Sequence, residues 1–387
     1  MPKGLTTTIE EAAARVRESV IVAVVLPDVP RPDSIGSAHA LANGLRKLAK
    51  TVSVFAPQPP TGGSARHLSV LGTFGDSYDE PLREFVVSFD LSRSPIKEFK
   101  YERDGNKLSI LLSPSGARIR REDVEFRYGS LRYDLVITIG VPGLEAATTS
   151  IARAPELLHE KPILNLDANP ANTNFGELNL VVTESEGGGR MTIPELTYQL
   201  LAALGGLPDS REDATALLAA LNAATRGFQS PEVSSQAFIM AGDLMRRGGD
   251  MAAAQRWCAT VEGLAEKHLA ARALARSRLD SMDSLWAILT RDDFEKTGLS
   301  QESLPAVLQK LRLEFPQADR TLLLWQDPQG EPVRALIALG EVEAGRPSVR
   351  DMLLARGEHF ELEEVFRSFP EAETRIAQLL YPTDAVE

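Results

Sequence analysis

Few side chains in this 387-residue chain are spaced in a way that points to a reactive centre. The single cysteine, Cys258, has no CxxC partner, which excludes a disulfide framework and a thiolate zinc site. Among the five His residues, His67, His159 and His268 have no second ligand at the following i+2, i+3 or i+4 positions. Only His39 falls in a helical stretch that could face a ligand. What remains suits an anion better than a cation. Ser34, Ile35, Gly36 and Ser37 open a helix whose exposed N–H groups and dipole favour negative charge, and Gly36 permits close approach. Asn169, Asn172 and Thr173 supply hydrogen-bonding groups just beyond an apolar strand, where open α/β sheets hold their ligands. The same residues also have structural uses, Gly36 for helix–sheet packing and Asn172 for capping a turn.

The elements that position these groups read as an α/β unit. A helix over 8–18 precedes the β-branched run Val20 to Leu26, the composition of a parallel strand covered on both faces. After the loop PDVPRPD, the residues Ile35, Ala38, Leu41, Ala42, Leu45 and Leu48 form one helical stripe, with Asp33 or Ser34 as its expected N-cap. Thr51 to Phe55 is the next strand, so the chain opens with a βαβ unit. Residues 57–73 read as a loop. Between about 80 and 130, Phe99, Tyr101 and Arg103 alternate with polar neighbours, Asp104-Gly105 offers turn chemistry, and Leu108, Ile110 and Leu112 alternate beyond it, which predicts a β-hairpin insertion. The α/β pattern resumes with strands at 133–140, 162–167 and 179–184 and a helix around 143–159. Helices are expected from 193 to 280 with a break at Gly248-Gly249. A smaller α/β unit follows, with a strand at 284–290, a helix around 301–313, a hairpin over 321–339 and a last helix near 361–380. The expected fold class is α/β, a doubly wound, mostly parallel sheet with that insertion, a helical connector and a smaller C-terminal α/β domain. Its expected bounds are 1–250, 251–282 and 283–387.

Lys and Arg number 42 against 54 Asp and Glu, a net charge of -12 that disfavours association with polyanions, duplex DNA above all. The short basic clusters, Arg118 with Arg120 and Arg121, Arg246 with Arg247, and Lys267 with Arg272, Arg276 and Arg278, all lie near acidic residues and read as solvated faces. The longest N-terminal apolar run is too short to span a bilayer, so a cytoplasmic location without membrane contact is expected.

Taken in order, several segments resemble the DHH phosphoesterase superfamily, in particular its oligoribonuclease and phosphoadenosine-phosphate phosphatase branch. The family's first motif, H-x-N-P-D-G-D-A-I-G-S, is matched by PDVPRPDSIGS from Pro27 to Ser37. Its second, ending a strand, is matched by YDLVITIG, and its third, I-N-I-D-H-H-P-S-N-T-x-F-G, by LNLDANPANTNFG from Leu164 to Gly176. The segments ELTYQLLAALG, GFQSPEVSSQAFIMAGDLMRRGGD and WAILTRDDFEKTGLSQESL are similar too, so the resemblance covers most of the chain.

The resemblance implies a pair of divalent metals, typically Mn, that clamp a phosphate and activate water. Along this sequence the family's ligand positions are largely replaced. The first-motif His falls on Pro27 and its first Asp on Arg31, while the second is Asp33. The second-motif Asp falls on Gly140, the two His of the third motif on Ala168 and Asn169 beside a retained Asp167, and a fourth Asp on Ala224 ahead of Phe228. The family's C-terminal Gly-rich loop ending in His has only Arg356-Gly357-Glu358-His359 as its counterpart. Two carboxylates do not hold two cations. The expectation is therefore a degenerate, catalytically inactive phosphoesterase-like protein with no metal and no catalytic residue. Its remnant ligand-binding site would comprise Arg31, Asp33, Ser34, Gly36, Ser37, Asp167, Asn169 and Asn172, with Arg31 replacing the lost positive charge beside Asp33, Asp167 or both. Its partner would be a nucleotide, a short oligonucleotide, another protein or a second copy. An active phosphoesterase with an altered metal site, and an assembly protein using the insertion as its surface, stay open as alternatives.

Overall fold

A computed structural model of the chain describes residues 7–57, 81–92, 95–182, 189–230, 233–261, 264–326, 332–339 and 360–380. It divides into two compact units, Met1–Cys258 and Ala259–Glu387. Among the described residues no helix is long and apolar enough to cross a membrane. Most of the loop expected over 57–73 and the whole RGEH segment lie outside those residues.

In the first unit, helix α1 (Ile9–Glu18) is started by a capping box in which Thr8 and Glu11 satisfy each other's backbone N–H. Strand β1 (Ile21–Val25), helix α2 (Pro32–Lys47) and strand β2 (Thr51–Phe55) form the expected βαβ unit. The N-cap of α2 is Arg31, not Asp33 or Ser34. Pro32 sets this boundary, because its fixed φ and missing N–H suit the first helical position, and Asp33 is left inside the first turn. The insertion comprises β3 (Arg83–Phe89), β4 (Ile96–Asp104), β5 (Lys107–Pro114) and β6 (Val124–Leu131), with β3 paired to β6 and β4 to β5 as two separate antiparallel ribbons. Gly105, at φ +57°, begins the two-residue turn between β4 and β5.

Strands β7 (Leu135–Ile139), β8 (Ile163–Asp167) and β9 (Leu178–Val181) complete a five-stranded parallel sheet in the order β2-β1-β7-β8-β9. Chain direction across the sheet reverses between β1 and β7, so the loops leaving these two strands diverge and open a crevice at their C-terminal ends. The helix expected over 143–159 does not form. Instead a 3-10 turn at Leu144–Ala147 and a short helix, α3 (Leu157–Glu160), flank irregular chain. The hydroxyl-rich Thr148-Thr149-Ser150 and then Pro155 interrupt the helical pattern. One face of the sheet buries Ala23, Val25, Val136 and Ile163 against Val141, Ile151, Leu157 and Leu158 from this irregular layer. Helices α4 (Ile193–Leu204), α5 (Arg211–Ala224) and α6 (Ser235–Arg246) follow, with α7 (Met251–Val261) crossing the boundary between the units.

The second unit has helix α8 (Leu264–Ala275), in the span expected as a connector, with Leu269, Ala270 and Ala273 in its core. Its sheet runs β10 (Arg278–Leu279), β11 (Ser284–Leu289), β12 (Arg320–Gln326), β13 (Val333–Leu339) and β14 (Phe360–Glu361). Only β11 and β12 are parallel. Helices α9 (Arg291–Thr297) and α10 (Leu304–Glu314) cover one face, and α11 (Phe369–Leu380) the other.

Candidate functional site

Asp33 stands in the first turn of α2 and Asp167 is the last residue of β8, both at the C-terminal side of the first unit's sheet. Both are buried, at 8% and 1% exposure. They are near enough that the charge of Asp167 disfavours ionisation of Asp33. Burial is the largest effect on Asp33 and raises its pKa above the usual carboxylate range, against the opposing pull of the Arg31 guanidinium and the Ser34 N–H. Arg31 Nη2 lies 3.1 Å from Asp33 Oδ2, and the Ser34 amide donates to Asp33 Oδ1 at 2.9 Å. The Arg31 side chain remains 59% exposed.

Asp167 is held differently. Its Oδ1 accepts the N–H groups of Ala168 (2.8 Å) and Asn169 (3.2 Å), and its Oδ2 accepts Asn172 Nδ2 at 2.7 Å. Asn172 Nδ2 also donates to the Val141 carbonyl, while its Oδ1 accepts from Asn165 Nδ2 at 2.8 Å and from the Asn174 amide. Asn172 is thus the hub of a buried polar network. The Asn169 side chain caps its own loop through the Ala171 amide, as Asx turns do.

Gly36 has a packing role. A Cβ there would stand 2.7 Å from the Ala216 carbonyl oxygen and 2.8 Å from Ala220 Cβ, so it is the point where α2 and α5 touch. Gly140, where the second-motif Asp would fall, ends β7 at φ +69°, and a Cβ there would meet the Ser34 hydroxyl at 2.3 Å. The hydroxyls of Ser34 and Ser37 are buried and have no hydrogen-bond partner, and such a group costs about 1–3 kcal/mol when left unpaired.

His39 does not reach this centre. Its Nε2 lies 3.3 Å from Asp213 Oδ1 on α5, in a cluster with Asn43 and Lys47. Burial raises the pKa of Asp213, but hydrogen bonds from His39, Lys47, Asn43 and Ser210 outweigh burial and hold it well below the usual range. Ala224 ends α5 and offers only a methyl group, followed by left-handed Arg226, Gly227 and Phe228. Among the described residues no group of three or more His, Cys, Asp or Glu side chains gathers closely enough to hold a metal ion. Among the described residues, the implied ligand positions supply two carboxylates, Asp33 and Asp167.

The sequence reading missed three participants. Asn165 sits inside β8, where it accepts from Thr138 Oγ1 at 3.1 Å and links Asn172 to Asn179. Arg190 Nη2 donates to the Ala168 carbonyl at 2.5 Å and brings a second cation to the loop after β8. Asn179 extends the network to Thr7 through a 2.9 Å bond from its amide. A polar residue within the apolar runs ILNLD and LNLVV was the available signal for both Asn side chains.

No protein-family model and no curated relative matches the chain. Solved structures do. An exopolyphosphatase-related protein from Bacteroides fragilis superposes with a TM-score of 0.58 at 14% identity, covering 96% of this chain and 95% of its own. A family II inorganic pyrophosphatase from Methanococcus jannaschii, described as putative, gives 0.38 at 14% identity over 91% and 98%. The nuclease RecJ from Thermus thermophilus, solved with Mn, gives 0.40 at 15% identity over 97% of this chain and 55% of its own. The whole-length superposition on the Bacteroides protein shows a shared fold, a mixed α/β architecture built on a five-stranded parallel sheet.

Proposed function

We propose that the chain is a DHH-type scaffold without two-metal hydrolysis, whose former reaction centre binds a small phosphorylated ligand such as a nucleotide or short oligonucleotide. The observation that carries this reading is the internal engagement of both carboxylates. Asp33 is paired with Arg31 and accepts the Ser34 amide, and Asp167 accepts from Asn172 and two backbone amides, so most of the acceptor positions a cation would use are already engaged. The charge balance supports an anion. Arg31 is more than half exposed, Arg190 lies beside the loop after β8, and the Ser34 hydroxyl is unsatisfied next to Gly140. Phosphate groups suit such an arrangement of guanidinium and helix N-terminal N–H donors.

The test has two arms. Protein purified and incubated with Mn should retain no stoichiometric metal and should hydrolyse neither dinucleotides nor phosphoadenosine phosphate. Mn-dependent turnover abolished by Asp33→Ala would reject the inactive assignment. In a thermal-shift titration, mononucleotides or dinucleotides should raise the melting midpoint, because a ligand that binds only the native state stabilises it. Arg31→Ala and Arg190→Ala should abolish that rise, and a midpoint indifferent to every phosphorylated compound would remove the anion-binding half.

A further inference from the structure

We propose that Asp28 is a positioning residue for the anion-binding centre, a clasp that ties the loop carrying Arg31 to the loop leaving β7 and so fixes where the Arg31 guanidinium stands. Asp28 acts through Arg31, so this role rests on the anion-binding reading. The chain from Leu26 to Arg31, between β1 and α2, is joined to its surroundings at Asp28. The Asp28 amide donates to the Ala146 carbonyl at 2.7 Å, its Oδ1 accepts the Ser150 amide at 2.8 Å, and its Oδ2 accepts the Thr148 hydroxyl at 2.9 Å. A further bond comes from the Thr149 amide. All four partners lie on the segment Ala146 to Ser150, beyond the end of β7.

The residues on both sides suit a clasp. Pro27, Pro30 and Pro32 each fix φ and lack an N–H, so the loop is stiff and has few donors of its own. Asp28 is its one polar side chain ahead of Arg31. Arg31 follows three residues later, within about 10 Å of chain, so a displaced Asp28 carries Arg31 away from its 3.1 Å contact with Asp33. On the opposite side, Thr148-Thr149-Ser150 interrupts the helix expected over 143–159, and the amides and hydroxyl left outside a helix there are the donors that Asp28 takes up. Burial raises the pKa of Asp28, but the bonds from Thr149, Ser150 and Thr148 outweigh it and hold the carboxyl below the usual range. The acceptor is therefore ionised at neutral pH, and its bonds are charge-assisted.

A carboxylate close to an anion site has a competing role of opposite sign. If Asp28 acted on the ligand through its charge alone, it would repel a phosphate, and removing it would tighten binding. If it acts through Arg31, removing it weakens binding. A purely structural role would lower stability and leave the affinity of the folded protein unchanged.

Calorimetric titration of the full-length protein with adenosine 5′-monophosphate separates these roles. Asp28→Ala should weaken binding about tenfold, the loss expected when a cationic contact is misplaced rather than removed. Thr148→Val, which deletes one of the four bonds, should weaken it by a smaller factor. Asp28→Asn keeps one carbonyl acceptor and should fall between Asp28→Ala and the parent; it provides the same test if the alanine variant does not fold. Amide hydrogen exchange gives a second readout that needs no ligand. In Asp28→Ala, residues 26–31 and 146–151 should exchange faster while the body of α2 is unchanged. Tighter or unchanged binding in Asp28→Ala, or unchanged exchange in both loops, overturns the proposal and leaves the anion-binding reading standing. A parent protein that does not bind adenosine 5′-monophosphate overturns both together.

Discussion

Truncating Arg31 to alanine should cost little stability near neutral pH and none in acid. Burial dominates at Asp33 and places its folded pKa above the ordinary value of 3.8, with Arg31 and the Ser34 amide pulling the other way. A carboxyl group shifted upward adds stability that is complete below its unfolded pKa and is lost as pH rises through the folded one. Arg31 reduces that loss by stabilising the ionised form, so its contribution exists only where Asp33 is charged. Its side chain is 59% exposed, which limits the pair to the range of a solvent-screened ion pair, about 0.2–1 kcal/mol. Urea denaturation followed by far-UV circular dichroism should therefore show an Arg31→Ala deficit of that size at about pH 8, shrinking toward zero near pH 4. Asp33→Asn removes the buried charge, retains the acceptor for the Ser34 amide, and should raise stability at the higher pH. In that background Arg31→Ala should have no effect. A deficit above about 3 kcal/mol, the cost of stranding a fully buried charge, would refute the reasoning. So would a deficit independent of pH, or one that persists in the Asp33→Asn background.

Two further substitutions test the frame around the site. Gly36→Ala drives a methyl group to 2.7 Å from a backbone oxygen of α5, and should destabilise the first unit by about 1–3 kcal/mol, as overpacking does; a neutral effect would show that α2 and α5 separate freely. In the second unit, Asp293 is raised by burial but lowered further by hydrogen bonds from Arg276, Thr290 and Arg272, so its pKa lies well below the usual range. Its contribution is present above the unfolded carboxylate pKa and lost as pH falls. Asp293→Asn should therefore cost roughly 1.5–3 kcal/mol at neutral pH and progressively less below about pH 4, read by thermal melts across pH.

The parallel strands were legible because a strand buried on both faces is a continuous apolar run. Val22 to Val25 is of this kind, and so is Leu135 to Ile139 apart from Thr138; all of these residues are buried. The stripe on α2 was legible for a similar reason, its period matching the helix. Local competition defeated the reading at two places: Pro32 took the helix start from Asp33, and hydroxyls with Pro155 broke the stretch after β7. Long-range partners were not legible at all. Nothing near His39 in the sequence indicates that Asp213 receives it, and nothing near Asn172 indicates that Asn165 and Asp167 converge on its amide. The insertion was readable as alternation, but the pairing of β3 with β6 spans a hairpin whose own turn gave the stronger signal.

The substitutions at the implied metal positions lean on one another. Gly140 leaves the space that the Ser34 hydroxyl occupies, since any Cβ there would fall within 2.3 Å of it. Arg31 supplies the positive charge beside Asp33 that a cation would otherwise provide, and Asn172 with the Ala168 and Asn169 amides does the same for Asp167 through neutral donors. Each retained carboxylate therefore has internal partners; an acidic residue restored at position 140 would collide with Ser34, and one restored at position 31 would remove the cation paired with Asp33. Around Asp33 and Asp167 the first unit holds a buried polar network centred on Asn172. Two guanidinium groups belong to the same region, Arg31 paired with Asp33 and Arg190 donating to the Ala168 carbonyl.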